Sequence, residues 1–139
     1  MNMNALVKWV DGMHMVGESG SGHAVVMDGP VEFGGKDLGI RPMEMLLLGV
    51  AGCTTVDVVG TLEKMREKLS DCQAQVSAVR SDEYPKVFTK IHIHFIIKGE
   101  QINPSKVEKA IKLSAEKYCS ASIMLGKTAS VTHDFEIIE

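Results

Sequence analysis

A chain of 139 residues with 45% hydrophobic and 24% charged side chains is ordinary for a soluble globular protein, and it has room for one domain, residues 1–139, around one core. The formal net charge of −3, with no local cluster of Lys or Arg, argues against nucleic acid as a partner. Three widely spaced cysteines, Cys53, Cys72 and Cys119, exclude a stapled secreted scaffold. No CxxC or Cys/His spacing points to zinc, so the expectation is no metal and no cofactor. The N-terminus has no basic stretch followed by an apolar segment, and the apolar run Met45–Val56 is short for a bilayer. The expected location is therefore the cytoplasm, away from membranes.

In chain order, Ala5–Val10, Met13–Glu18 and His23–Asp28 read as strands of a meander. They are separated by Asp11-Gly12 and by Gly20-Ser21-Gly22, which no P-loop lysine follows. Residues 29–40 carry Gly34-Gly35 and Gly39 without periodicity, the mark of a long loop. Pro42 then opens a helix expected to run to about Leu69, with Glu44 favourably placed in its first turn. From Met45 to Val59 this helix is apolar nearly all round and should be enclosed, whereas Glu63–Lys68 should emerge into water.

A hairpin, Cys72–Arg80 and Lys86–Lys98, should follow, with Val87, Thr89, Ile91, Ile93, Phe95 and Ile97 on one face. Lys90, His92, His94 and Lys98 fall on the other face. Asn103-Pro104 supplies an N-cap and a Pro at the first position of a helix whose inner side carries Val107, Ala110, Ile111, Ser114 and Tyr118. After Cys119 come a short apolar segment, Ser120–Leu125, and a last strand, Thr128–Ile138, with Ala129, Val131, His133, Phe135 and Ile137 together. These elements make an α+β fold. One sheet covers only one side of an all-apolar helix, so a second copy of the chain is the simplest cover and a homodimer is expected.

The run Gly49-Val50-Ala51-Gly52-Cys53-Thr54 puts two glycines beside a thiol in a helix, at a cost of about 1 kcal/mol each relative to Ala. Either they let another helix approach closely or they thin the wall around the sulfur. The wider segment, Arg41-Pro42-Met43-Glu44-Met45-Leu46-Leu47-Leu48-Gly49-Val50-Ala51-Gly52-Cys53, resembles the P-x-E-x-L-x-x-A-x-A-G-C segment of the OsmC/Ohr superfamily. Glu116-Lys117-Tyr118-Cys119-Ser120 resembles the family's second cysteine, at the start of a short helix. The order and length of elements extend the likeness to nearly the whole chain.

The resemblance implies an α+β fold with antiparallel or mixed sheets wrapped around a buried cysteine-bearing helix, in an intertwined homodimer. It also implies a peroxiredoxin-like enzyme for oxidative-stress defence. In it Cys53 would attack an organic or other hydroperoxide and become a sulfenic acid. Cys119 would then condense with it to a disulfide, and a dithiol of lipoyl type would reduce the pair. The supporting carboxylate and guanidinium fall to Glu44 and Arg41, since residues 1–40 hold no arginine and Met43 stands where the family's peroxidases usually place the carboxylate. Glu44 precedes Cys53 by nine residues, about half a helical rotation and about 13 Å along the axis, so it would serve the thiol only from the other subunit.

Cys53 lies far from its own helix N-terminus. The start of Ser120–Leu125 should therefore point at its sulfur and lower its pKa. Asp57, one turn after Cys53, either repels the thiolate or pairs elsewhere. Met43, Met45 and Met124 either line an apolar mouth or fill core gaps. Cys72 reads as structural, at a helix-to-strand junction. His92 and His94 lack a third metal ligand nearby in sequence and read as a solvated or dimer-facing pair. Two rivals remain beside the peroxidase: a redox sensor or small-molecule-binding protein with the same thiols and no turnover, and a cysteine hydrolase using His133 or His23.

Overall fold

A computed structural model describes residues 2–139, which fall into two compact units, one ending at Leu46 and one starting at Leu47. The first unit holds β1 (Ala5–Asp11), β2 (His14–Ser19) and β3 (Ala24–Met27), an antiparallel meander in the order expected. Every residue of β1 is exposed, Leu6, Val7, Trp9 and Val10 included, so both of its faces are bare. The following loop is tied down by Asp28, a buried carboxylate that accepts hydrogen bonds from the backbone N–H groups of Gly29, Lys36 and Leu38. Gly35 lies so close to Gly29 that a Cβ would overlap its carbonyl, which explains a glycine there.

Helix α1 (Pro42–Lys64) crosses the boundary between the units. By length and composition it would also suit a membrane span. Val50, Ala51, Thr54, Val58 and Leu62 are buried, as in a core helix, but Leu48, Gly52 and Val56 are exposed. The chain itself thus covers one face of α1. Nothing lies within 4 Å of where a Cβ would stand on Gly49, Gly52 or Gly60, so no close helix crossing within the chain accounts for them.

The helix also stops five residues earlier than expected. Arg66 takes φ 62°, Glu67 N–H donates to Leu62 O (3.0 Å), and Arg66 N–H donates to Glu63 O (2.9 Å). This is a Schellman ending, but it lacks the glycine that normally announces one. In consequence β4 begins at Lys68, and Cys72 lies inside it, opposite Ile97, instead of at a junction.

The second unit is built on β4 (Lys68–Arg80), β5 (Phe88–Glu100) and β6 (Ser130–Ile138). β5 is central, antiparallel to β4 and parallel to β6, so the sheet is mixed. Ile91, Ile93, Phe95 and Ile97 are fully buried, as the alternation demands. Nearer the strand start, a register shift between Val79 and Arg80 breaks the alternation; Phe88 is buried and Thr89 exposed, correcting the expected face.

A crossover links β5 to β6, as parallel pairing requires. It comprises α2 (Pro104–Leu113), a π-helical turn (Ser114–Tyr118) and α3 (Ser120–Leu125). Asn103 Oδ1 accepts from Ser105 N–H at 2.9 Å, the expected cap. Val107, Ala110, Ile111 and Ser114 face inward, but the π turn changes the helical phase and leaves Tyr118 exposed.

The outer face of β5 and β6 carries a polar cluster that parallel register assembles. Asp134 Oδ1 accepts from His94 Nδ1 (2.6 Å) and His92 Nε2 (2.8 Å), while His92 Nδ1 lies 2.6 Å from Thr132 Oγ1. The hydrogen bond to Asp134 raises the His94 pKa against a smaller cost of burial, and the two imidazoles lower that of Asp134. The attraction is therefore complete between the unfolded values of 3.8 for Asp134 and 6.5 for His94. It is lost as pH rises through the raised His94 value or falls through the lowered Asp134 value. An NMR titration should place the His94 midpoint above 6.5, and Asp134→Asn should bring it down.

Candidate active site

Cys53 and Asp57 lie one turn apart on α1 and so share a face. The π turn brings a third group to them. Ser114 O accepts from Cys119 N–H (2.8 Å), a bond spanning one residue more than an α-helical one, and it sets Cys119 as the N-cap of α3. The Cys53 sulfur, the Cys119 sulfur and an Asp57 carboxylate oxygen all lie within 4.8 Å of one another. Both cysteines are free thiols; Cys53 is half-buried and Cys119 wholly buried.

Polar groups unmarked by any sequence signal complete the arrangement. Ser122 N–H donates to Cys119 Sγ (3.3 Å), and buried Thr54 places Oγ1 3.4 Å from the same sulfur and 3.4 Å from Ser122 Oγ. Thr54 has a single hydroxyl proton and also sits 2.7 Å from Val50 O. It can bond the backbone while Cys119 is protonated and the sulfur once a thiolate forms. Ser114 Oγ donates to Asp57 Oδ2 at 3.0 Å, fixing the carboxylate beside the thiols. Asp57 thus combines the two roles that its spacing left open.

The electrostatics act in opposite directions on the two thiols. The start of α3 does reach Cys53, through the Ala121 N–H, and this lowers its pKa. Burial, the Cys119 sulfur and the Asp57 charge together outweigh that bond, and the Cys53 thiol ends above the ordinary value. At Cys119 burial acts upward, but the Ser122 and Thr54 hydroxyls, the Ser122 N–H and the Cys53 thiol draw the pKa down. The hydrogen bonds at Cys119 thus favour its thiolate, while the surroundings of Cys53 disfavour one.

The remaining candidates make no hydrogen bond to either thiol among the described residues. Glu44 accepts from the Arg41 backbone N–H (2.8 Å), and the Arg41 guanidinium lies 3.7 Å from Glu44 and 3.5 Å from Asp37, all within the first unit. Cys72 has its pKa raised by burial, as suits a structural thiol. Met124 is exposed on α3, so it fills no gap in the core of the chain. His133 stacks on Phe95, burial lowers its pKa, and its Nε2 has no hydrogen-bond partner among the described residues. It is paired with neither thiol, so His133 does not serve the hydrolase reading as a base.

A mixed sheet, a helix carrying one cysteine and a crossover carrying another define a recognisable class. The OsmC-like protein family matches residues 34–134, and the chain belongs to that family. Protein YhfA of Escherichia coli (strain K12) is 43% identical over 136 residues, covering 98% of each chain. An OsmC-like protein from Mycoplasma pneumoniae has the same fold, with a TM-score of 0.85 at 14% identity over 100% of this chain and 99% of that one. The organic hydroperoxide resistance protein OhrB of Bacillus subtilis aligns with a TM-score of 0.65 at 16% identity, over 98% of each chain.

Proposed function

We propose that this chain is a thiol peroxidase that reduces organic hydroperoxides through Cys53 and Cys119. The observation that carries the reading is a reachable sulfur and a buried one within 4.8 Å, both free. The hydroperoxide resistance protein among the structural neighbours supports the substrate class.

Cys53 is the nucleophile because peroxide can meet only the less buried sulfur. As its sulfur takes the terminal peroxide oxygen, its proton is lost to solvent and the O–O bond breaks. The alkoxide takes a proton from solvent and leaves as alcohol. Sulfur has lost two electrons and the peroxide has gained them. The Cys119 sulfur then attacks the Cys53 sulfenic acid, the S–S bond forms, and its proton leaves with the hydroxyl as water. A dithiol of lipoyl type restores both thiols and closes into its own disulfide. A second copy of the chain covers Leu48, Gly52 and Val56 of α1, and it is from that copy that Arg41 and Glu44 would act on the thiol.

Reduced protein mixed with cumene hydroperoxide and a dithiol tests the proposal. Continuous peroxide loss supports it; oxidation of one equivalent without cycling overturns it in favour of a sensor. In Cys119→Ser the Cys53 sulfenic acid should persist, and mass spectrometry should find it as a dimedone adduct absent from the cycling wild type.

A further inference from the structure

Three donor atoms that lie within 4.8 Å of one another are more than disulfide chemistry needs, because Asp57 takes no part in forming an S–S bond. We propose that the reduced chain binds one thiophilic divalent cation, Zn2+, through Cys53, Asp57 and Cys119. Two ligands one helical turn apart on α1 face one point in space, and the third comes from the N-cap of α3. Bonds of about 2.3 Å to sulfur and about 2.0 Å to oxygen put tetrahedral donors a little under 4 Å apart. Small side-chain rotations close that gap.

The surroundings are those of a prepared site. Ser114 Oγ holds one Asp57 oxygen and leaves the other free to ligate. Ser122 N–H and the Thr54 hydroxyl orient the Cys119 sulfur. Soft sulfur paired with one carboxylate selects Zn2+ over Mg2+ or Ca2+. Three protein ligands leave the fourth position open, on the side where Cys53 is half-exposed.

Binding displaces the thiol protons and forms two sulfur–metal bonds, with no change of oxidation state. A disulfide leaves neither sulfur able to bind in that way. The metal-bound and oxidised forms are therefore alternatives, and oxidation expels the ion. The binding needs only the geometry of the pair, so it goes beyond the peroxidase reading and stands without turnover.

Zn2+ added to fully reduced, thiol-free protein in competition with a chromogenic chelator tests the inference without peroxide. About one equivalent per chain should bind, and Asp57→Asn, checked as folded by circular dichroism, should weaken binding about tenfold or more. Cd2+ should give thiolate-to-metal charge-transfer absorption that falls by about half in Cys119→Ser and is unchanged in Cys72→Ser. A thiol oxidant should release the ion as the disulfide forms. Binding that survives Asp57→Asn undiminished, that requires Cys72, or that persists in the oxidised protein overturns the inference, as does a reduced protein that binds no Zn2+. Peroxide turnover measured with a metal chelator present reports separately on the peroxidase.

Discussion

Cys53→Ser should lower hydroperoxide turnover by at least about a thousandfold, because a serine hydroxyl stays protonated and cannot form the sulfenic acid. The substitution is nearly isosteric at a half-buried position, so stability should change by under about 1 kcal/mol. Loss of rate with retained melting behaviour separates lost chemistry from lost fold. The comparison with Cys119→Ser assigns the roles. That variant should consume about one equivalent of peroxide and stop, since the first oxidation needs only the reachable sulfur. Acidity alone would name Cys119 as the attacking group, because its thiolate is the better stabilised. Access decides otherwise, since Cys119 is 0% exposed. If Cys119→Ser removes the first equivalent and Cys53→Ser does not, the assignment is reversed.

Phe95→Ala should cost about 3–5 kcal/mol of unfolding free energy, measured as a drop in the urea midpoint at unchanged slope. Phe95 is 0% exposed at the centre of the middle strand, opposite Ala74 on β4 and Phe135 on β6, and its ring stacks on His133 at a centroid distance of 6.4 Å. Removing the ring leaves a cavity over the buried face of the sheet, and strands hydrogen-bonded on both sides of β5 cannot shift to fill it. Against a typical domain stability of about 5–15 kcal/mol, that is a large share. A cost below about 1 kcal/mol would mean that the sheet repacks freely, contrary to the unbroken register on both sides of Phe95.

Elements with a local signature were legible in the sequence. Asn103-Pro104 announces its helix, Asp11-Gly12 its turn, and the alternation from Ile91 to Ile97 its strand, because each reflects backbone geometry set within a few residues. What long-range packing decides was not legible. Arg66 ends α1 in a left-handed conformation that nothing local to an arginine advertises, and the π turn at Ser114–Tyr118 shows no break in the helical pattern. Parallel pairing of β6 put Asp134 beside His92 and His94, partners 42 and 40 residues away in sequence.

The site divides in the same way. Cys53 and Cys119 were singled out through likeness to a family, since a separation of 66 positions hides their proximity from any physical rule. Thr54, Ser114 and Ser122 are small hydroxyl residues of the commonest kind, and only their burial around the sulfurs marks them. The start of α3 and the Asp57 charge were both visible as influences on Cys53, but not which of them would prevail. Both act through space, at distances the sequence does not give.

Cys119 rides on the connection that carries the chain from one strand to its parallel neighbour. A growing polypeptide therefore displays Cys53 well before the segment bearing Cys119 has been made, and longer still before the C-terminal strand locks that segment in place. Until then the first thiol is solitary, open to oxidants and with no companion to rescue it. The pairing of the two thiols arrives last, with the closing of the sheet.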